Sequence, residues 1–324
     1  MPPQKQRWPD DRAVLFVHGV GNAKPGSYDA LLDQVKKLLG ADAESFAFYF
    51  LYYDQLNAWA AAKLAAADRI TDLCRVIRGE LTQSAETAEV IAGFAGDVIW
   101  PVLLADARNA VRAAYVAQLQ QMVLDGKNNG RRRARDLHMT IIAHSLGCFH
   151  TYETLQAITA DAGLGLAPAT WNTQFDNVIY MASPVQLIRS VTQKLTFAIP
   201  LRDKLYSLAG GGLSAPGERD AAGELVPTVR ERIVSITGNL DPVGGYFFRS
   251  RGDWAYMNLP GQLSIIDKQT PAAVPGLNDE QSLAAVLRSA LVSGAPPTIS
   301  PENPHDWSAY VDRHASELKE WMTA

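Results

Sequence analysis

Ile141-Ile142-Ala143-His144-Ser145-Leu146-Gly147 is a short apolar run that ends in a serine between small residues. Its β-branched start predicts a buried strand, and the residues after Ser145 change to helical spacing. A serine on a tight strand-to-helix turn has its hydroxyl pushed out at the edge of the sheet. Small residues two before and two after let the chain pass close to its neighbours. The general pattern is Gly-x-Ser-x-Gly; here Ala143 stands first, one methyl larger and compatible with the turn. Taken alone, the stretch also fits a structural helix capped by Ser145.

A second run lies N-terminal to the first. Val14-Leu15-Phe16-Val17-His18-Gly19-Val20-Gly21 is an apolar strand ending in a glycine-flanked loop, and helical spacing follows from Tyr28 to Leu39. Further strand-like runs fall at 46–53, 177–182, 232–237 and 262–266 beside those at 13–18 and 137–143, with helical patterns between them. Strands alternating with helices predict an α/β fold with a doubly wound, mostly parallel sheet of about six strands, functional at the carboxyl ends of its strands.

The two glycine motifs in this order resemble the α/β-hydrolase superfamily, specifically its serine esterases and lipases. The resemblance implies that the His18-Gly19 loop supplies one oxyanion-hole amide and the residue after the nucleophile supplies the other. Those donors are the backbone amides of Val20 and Leu146, with His18, Gly19, Gly21, His144 and Gly147 as the supporting loops. Because the first strand begins near residue 13, the core would lack the first strands of the superfamily's sheet.

A serine hydroxyl needs a histidine base, and that imidazole needs a carboxylate to hold its tautomer. The resemblance implies the chain order serine, acid, histidine. The strand at 232–237 runs into Gly238-Asn239-Leu240-Asp241-Pro242, which puts the Asp241 carboxylate on the same rim as Ser145; Asp241 would otherwise bond only its own turn. The preceding strand ends in Ser183-Pro184, with no acid. Only His305 and His314 follow Asp241. His305 sits in a proline-punctuated loop opening a terminal helix, where a base can reach inward. His314, amid Asp312, Arg313 and Ser316, reads as a solvated face. The predicted catalytic set is therefore Ser145, Asp241 and His305.

With 324 residues, 47% of them hydrophobic, the chain can bury a large core. We read it as one hydrolase domain over 1–324 with two insertions. Residues 55–125, alanine-rich and helical in spacing, exceed a crossover and suggest a helical cap or lid, with Phe94, Ile99 and Trp100 lining or packing a pocket. Residues 185–230, with Gly210-Gly211-Gly212, read as a flexible loop. The net charge of −4 calls for no nucleic acid partner. The basic group Arg131-Arg132-Arg133 with Arg135 reads as a solvated loop. The two cysteines, Cys74 and Cys148, make no disulfide framework. No spacing suggests a metal site, and no glycine-rich loop suggests a cofactor. The polar N-terminus and the broken apolar stretch 90–104 predict a cytoplasmic chain without a transmembrane segment. The copy number is left open, and an oligomer is compatible with the sequence.

These readings converge on a metal-independent serine hydrolase acting on small-molecule carboxylic esters, acyl esters among them, through an acyl-enzyme. An acyltransferase or thioesterase would use the same three residues. A non-catalytic binding protein on the same scaffold is the remaining alternative, and it would be expected to have lost one of them.

Overall fold

The computed structural model describes residues 2–19, 25–53, 56, 105–127, 136–159, 175–184, 214–219, 225–227, 229–238, 264–270 and 306–324. Six strands form one sheet: β1 (Arg12–Val17), β2 (Phe46–Leu51), β3 (His138–His144), β4 (Phe175–Met181), β7 (Val229–Gly238) and β8 (Ser264–Thr270). Their spatial order is β2-β1-β3-β4-β7-β8, and every neighbouring pair is parallel. The expected α/β class and strand positions are thus observed. Among the described residues no strand precedes β1.

Parallel strands covered on both faces should be apolar throughout, and β1 to β4 are buried almost end to end. Alternate residues serve opposite faces. On one face Val14, Phe16, Phe48, Phe50, Ile142, Ile179 and Val234 pack with helix α1 (Asp29–Leu39) and with two C-terminal helices, α4 (Trp307–Arg313) and α5 (Ala315–Thr323). Helix α1 buries Leu31, Val35 and Leu39 at helical spacing, carries Asp29 in its first turn and ends at Gly40, whose φ is 64°. The other face holds α2 (Ala105–Lys127) and α3 (Leu146–Thr159), which pack on each other and on the strands. Two polar links tie that layer. The Tyr49 hydroxyl of β2 donates to Asp125 at 2.9 Å, and the hydroxyls of Tyr115 and Thr151 lie 3.0 Å apart.

Two readings of the sequence need adjustment. The end of the 55–125 segment, helix α2, is a crossover helix against the sheet, with Ala107, Val111, Tyr115, Leu119 and Met122 buried. The rest of that segment, with Cys74, Phe94, Ile99 and Trp100, lies outside the described residues, apart from Leu56. The stretch 185–230 contains a two-stranded antiparallel ribbon, β5 (Ser214–Arg219) with β6 (Leu225–Pro227), and the start of β7. Gly210-Gly211-Gly212 and the basic residues Arg131–Arg133 and Arg135 are also outside it. No helix among the described residues is long and apolar enough to cross a membrane. None of their His, Cys, Asp and Glu side chains form a group of three or more suited to a metal.

Candidate active site

Ser145 follows β3 directly and has φ 53°, a left-handed conformation that costs a non-glycine residue about 1–2 kcal/mol. Two backbone bonds hold the turn: the Ser145 amide donates to the Met181 carbonyl of β4 at 3.0 Å, and Cys148 N–H donates to the Ser145 carbonyl at 2.9 Å. Leu146 opens helix α3, so its amide is one of the first-turn N–H groups that have no intrahelical acceptor. The Cys148 thiol, buried as expected of a small apolar residue, donates to the carbonyls of Ala143 and Met181, each at 3.3 Å.

The loop after β1 meets this turn at two glycines. A β-carbon on Gly19 would stand 2.5 Å from Ser145 Cβ and 3.0 Å from its Oγ. One on Gly147 would collide with the backbone carbonyls of Val17 and His18. Both glycines are therefore required by close approach, with helix α3 passing against the end of β1. The structure brings His18, Gly19, His144, Ser145, Leu146 and Gly147 together at this rim. Val20, Gly21, Asp241 and His305 lie outside the described residues.

His18 is buried, and its ring stacks on Tyr53 with 4.3 Å between centroids. Burial pushes its pKa down to about 4, opposed by its bond to the Gly19 carbonyl. The ring is thus neutral near neutral pH, and Nδ1 donates to that carbonyl at 2.6 Å. His150, on α3, meets Tyr53 edge-on at 4.9 Å. Burial, with the nearby charges of His18, Arg108 and Arg112, lowers it to about 3. Arg112 pairs with the buried Glu153 at 3.0 Å and Arg108 lies 3.6 Å from the same carboxylate. His138, at the other end of β3, lies 3.4 Å from Asp176. Neither His150 nor His138 adjoins Ser145 in sequence or strand register.

On the opposite face, the His144 ring stacks on Trp307 of α4 and meets Tyr310 edge-on. Helix α4 begins where it does because Asp306 caps it, accepting from the Ser308 amide at 3.0 Å. His314, expected on a solvated face, is instead buried at the α4–α5 junction, 3.9 Å from Glu317. The charged residues around it point outward while the imidazole turns in, a choice the local sequence does not display. Sequence reasoning also passed over Tyr53, Trp307 and Ala182. Ala182, just past β4, repeats the φ of 53° seen at Ser145, and its amide donates to the Ile236 carbonyl of β7 at 2.9 Å.

Compared by sequence, the chain matches no known family and no curated protein. Compared by structure, it is similar to a C6-C4 SN3 inhibited esterase B from Lactobacillus rhamnosis, with 13% identity, 99% of this chain and 80% of that chain covered, and a TM-score of 0.40. A phospholipase/carboxylesterase from Dyadobacter fermentans gives 12% identity, 89% and 94% coverage and a TM-score of 0.34. Est1E from Butyrivibrio proteoclasticus, with ferulic acid bound, gives 9% identity, 88% and 90% coverage and a TM-score of 0.32. These likenesses are too distant to carry a residue or an activity. What the chain's own geometry shows is an α/β fold, a parallel sheet ordered β2-β1-β3-β4-β7-β8 with a left-handed serine between β3 and α3.

Proposed function

We propose that the chain is a serine-dependent hydrolase of small-molecule carboxylic esters that works through an acyl-enzyme. One observation carries the reading: Ser145 occupies a left-handed turn at the carboxyl rim of the sheet, with the Gly19 backbone against its side chain. A purely structural helix cap needs neither the strained φ nor a glycine at touching distance.

In this reading the Ser145 hydroxyl attacks the ester carbonyl carbon while His305 takes its proton. The amides of Val20 and Leu146 hold the oxyanion of the tetrahedral intermediate. Collapse breaks the carbon–oxygen bond to the leaving alcohol, which receives the proton from His305. Water, deprotonated by His305, then releases the acid and restores Ser145. Asp241 orients the imidazole throughout.

Two neighbouring facts support the choice of base and acid. His305 is two residues before Trp307, whose ring stacks on the His144 next to Ser145. Asp241 follows the end of β7 by three residues, and β7 is joined to the end of β4 beside Ser145 through the Ala182–Ile236 bond. The apolar residues Phe94, Ile99 and Trp100 of the 55–125 insertion favour acyl esters over charged substrates. Labelling with a fluorophosphonate probe, followed by mapping of the modified peptide, tests the proposal. Modification at Ser145 with turnover of a p-nitrophenyl ester supports it; modification elsewhere, or none, overturns it.

A further inference from the structure

We infer that Tyr53 is the positioning residue of the oxyanion loop, a role that rests on the hydrolase reading above. The Tyr53 ring is buried just beyond β2, and its hydroxyl donates to the His18 carbonyl at 2.5 Å and lies 3.1 Å from the Gly19 carbonyl. The Gly19 carbonyl also accepts from His18 Nδ1 at 2.6 Å. Two side chains from the ends of two different strands therefore meet at the Gly19 carbonyl, and Tyr53 holds the His18 carbonyl as well. The His18 and Tyr53 rings stack on each other with only 9° between their planes, so neither hydroxyl nor imidazole can swing away alone.

The consequence follows from peptide geometry. In a trans peptide the N–H points opposite to the C=O of the same plane. A Gly19 carbonyl held by both Tyr53 and His18 leaves its peptide plane little freedom to rotate. Gly19 itself packs its α-carbon against Ser145. The clamp thus holds the carbonyl end of the peptide that leads into the proposed oxyanion donor, without touching substrate. A preset donor contributes most when charge develops on the oxygen and little when the neutral ester binds.

The test compares Tyr53→Phe with Tyr115→Phe. Tyr115→Phe removes an equally buried hydroxyl, the one facing Thr151 of α3, and serves as the structural control. In Tyr53→Phe we expect kcat on a p-nitrophenyl ester to fall about 30-fold with KM within about twofold, since loss of a whole oxyanion donor costs about 10²–10³. The rate of fluorophosphonate labelling should fall by the same factor, and Tyr115→Phe should keep both. A Tyr53→Phe chain that does not fold, that matches Tyr115→Phe in kcat, or that changes KM alone overturns the inference. A wild-type chain with neither labelling nor turnover overturns the hydrolase reading itself, and the clamp with it.

Discussion

The rings of His144 and Trp307 lie face to face, 5.4 Å apart and 12° from parallel. One residue adjoins Ser145 and the other opens the helix that follows His305 in the chain. Trp307 also meets Phe16 and Tyr28 edge-on, so it joins the C-terminal helices to the rim of the sheet. Trp307→Leu should lower unfolding free energy by about 2 kcal/mol, as a large-to-small core change does. In urea titration the midpoint should drop, and the probe-labelling rate at zero denaturant should drop with it. Unchanged labelling in a destabilised variant would separate the stack from the site.

The two close-approach glycines should fail differently. A methyl on Gly147 meets backbone carbonyls that cannot move aside, so Gly147→Ala should cost on the order of 3 kcal/mol of stability. A methyl on Gly19 meets the Ser145 side chain, and a shift of about 1 Å at reacting atoms costs about 10²-fold. Gly19→Ala should therefore lose turnover by about that factor while unfolding near the wild-type midpoint. Thermal melts beside ester kinetics distinguish the two; full activity in Gly19→Ala contradicts the placement.

Asp241, His305 and Ser145 should behave as one machine. Asp241→Asn is expected to lower kcat by about 10⁴-fold through the wrong imidazole tautomer. Adding His305→Ala to Ser145→Ala should cost almost nothing more, because the members of such a unit are not additive. His314→Ala should instead lower stability and spare kcat, as the imidazole is buried beside Glu317 between two helices. Loss of turnover in His314→Ala with normal turnover in His305→Ala reverses the base assignment.

Buried His18 and His150 predict an acid-sensitive fold. An unfolded histidine takes up a proton near pH 6.5, whereas His18 stays neutral down to about 4 and His150 to about 3. The unfolded state therefore binds protons first as pH falls. The stability is whole above about pH 6.5 and is lost progressively toward pH 4, by on the order of 3 kcal/mol for His18 alone. Urea midpoints measured from about pH 7 to about pH 4.5 should fall, and fall less in His150→Leu. A flat profile contradicts neutral burial.

The strands and the tight turn at Ser145 are legible because their signals are local. Continuous apolar runs mark buried parallel strands, and the crowding at Ser145 leaves small residues at Gly19 and Gly147. What the sequence hid depends on partners far away in the chain. Nothing around Tyr53 announces that its hydroxyl reaches His18 and Gly19, and nothing around His314 announces burial among charged neighbours. The ribbon at 214–227 is hidden because Ser214-Ala215-Pro216-Gly217 has the composition of a turn, which a two-stranded ribbon tolerates. Ala182 was invisible for another reason: alanine gives no hint of a left-handed backbone.

The C-terminal helices are tied to the sheet by bonds that span most of the chain. Arg12 donates to the Met322 carbonyl, 310 residues away, and Asn177 donates to the Trp321 carbonyl, 144 residues away. Contacts of such long sequence separation form late and slowly. During synthesis Ser145 leaves the ribosome long before residues 307–323, and its strand waits without the aromatic face that covers it. A nascent chain therefore carries the Ser145 turn without the aromatic helix that packs against it, and the rim of the sheet is complete only once translation has delivered residues 307–323.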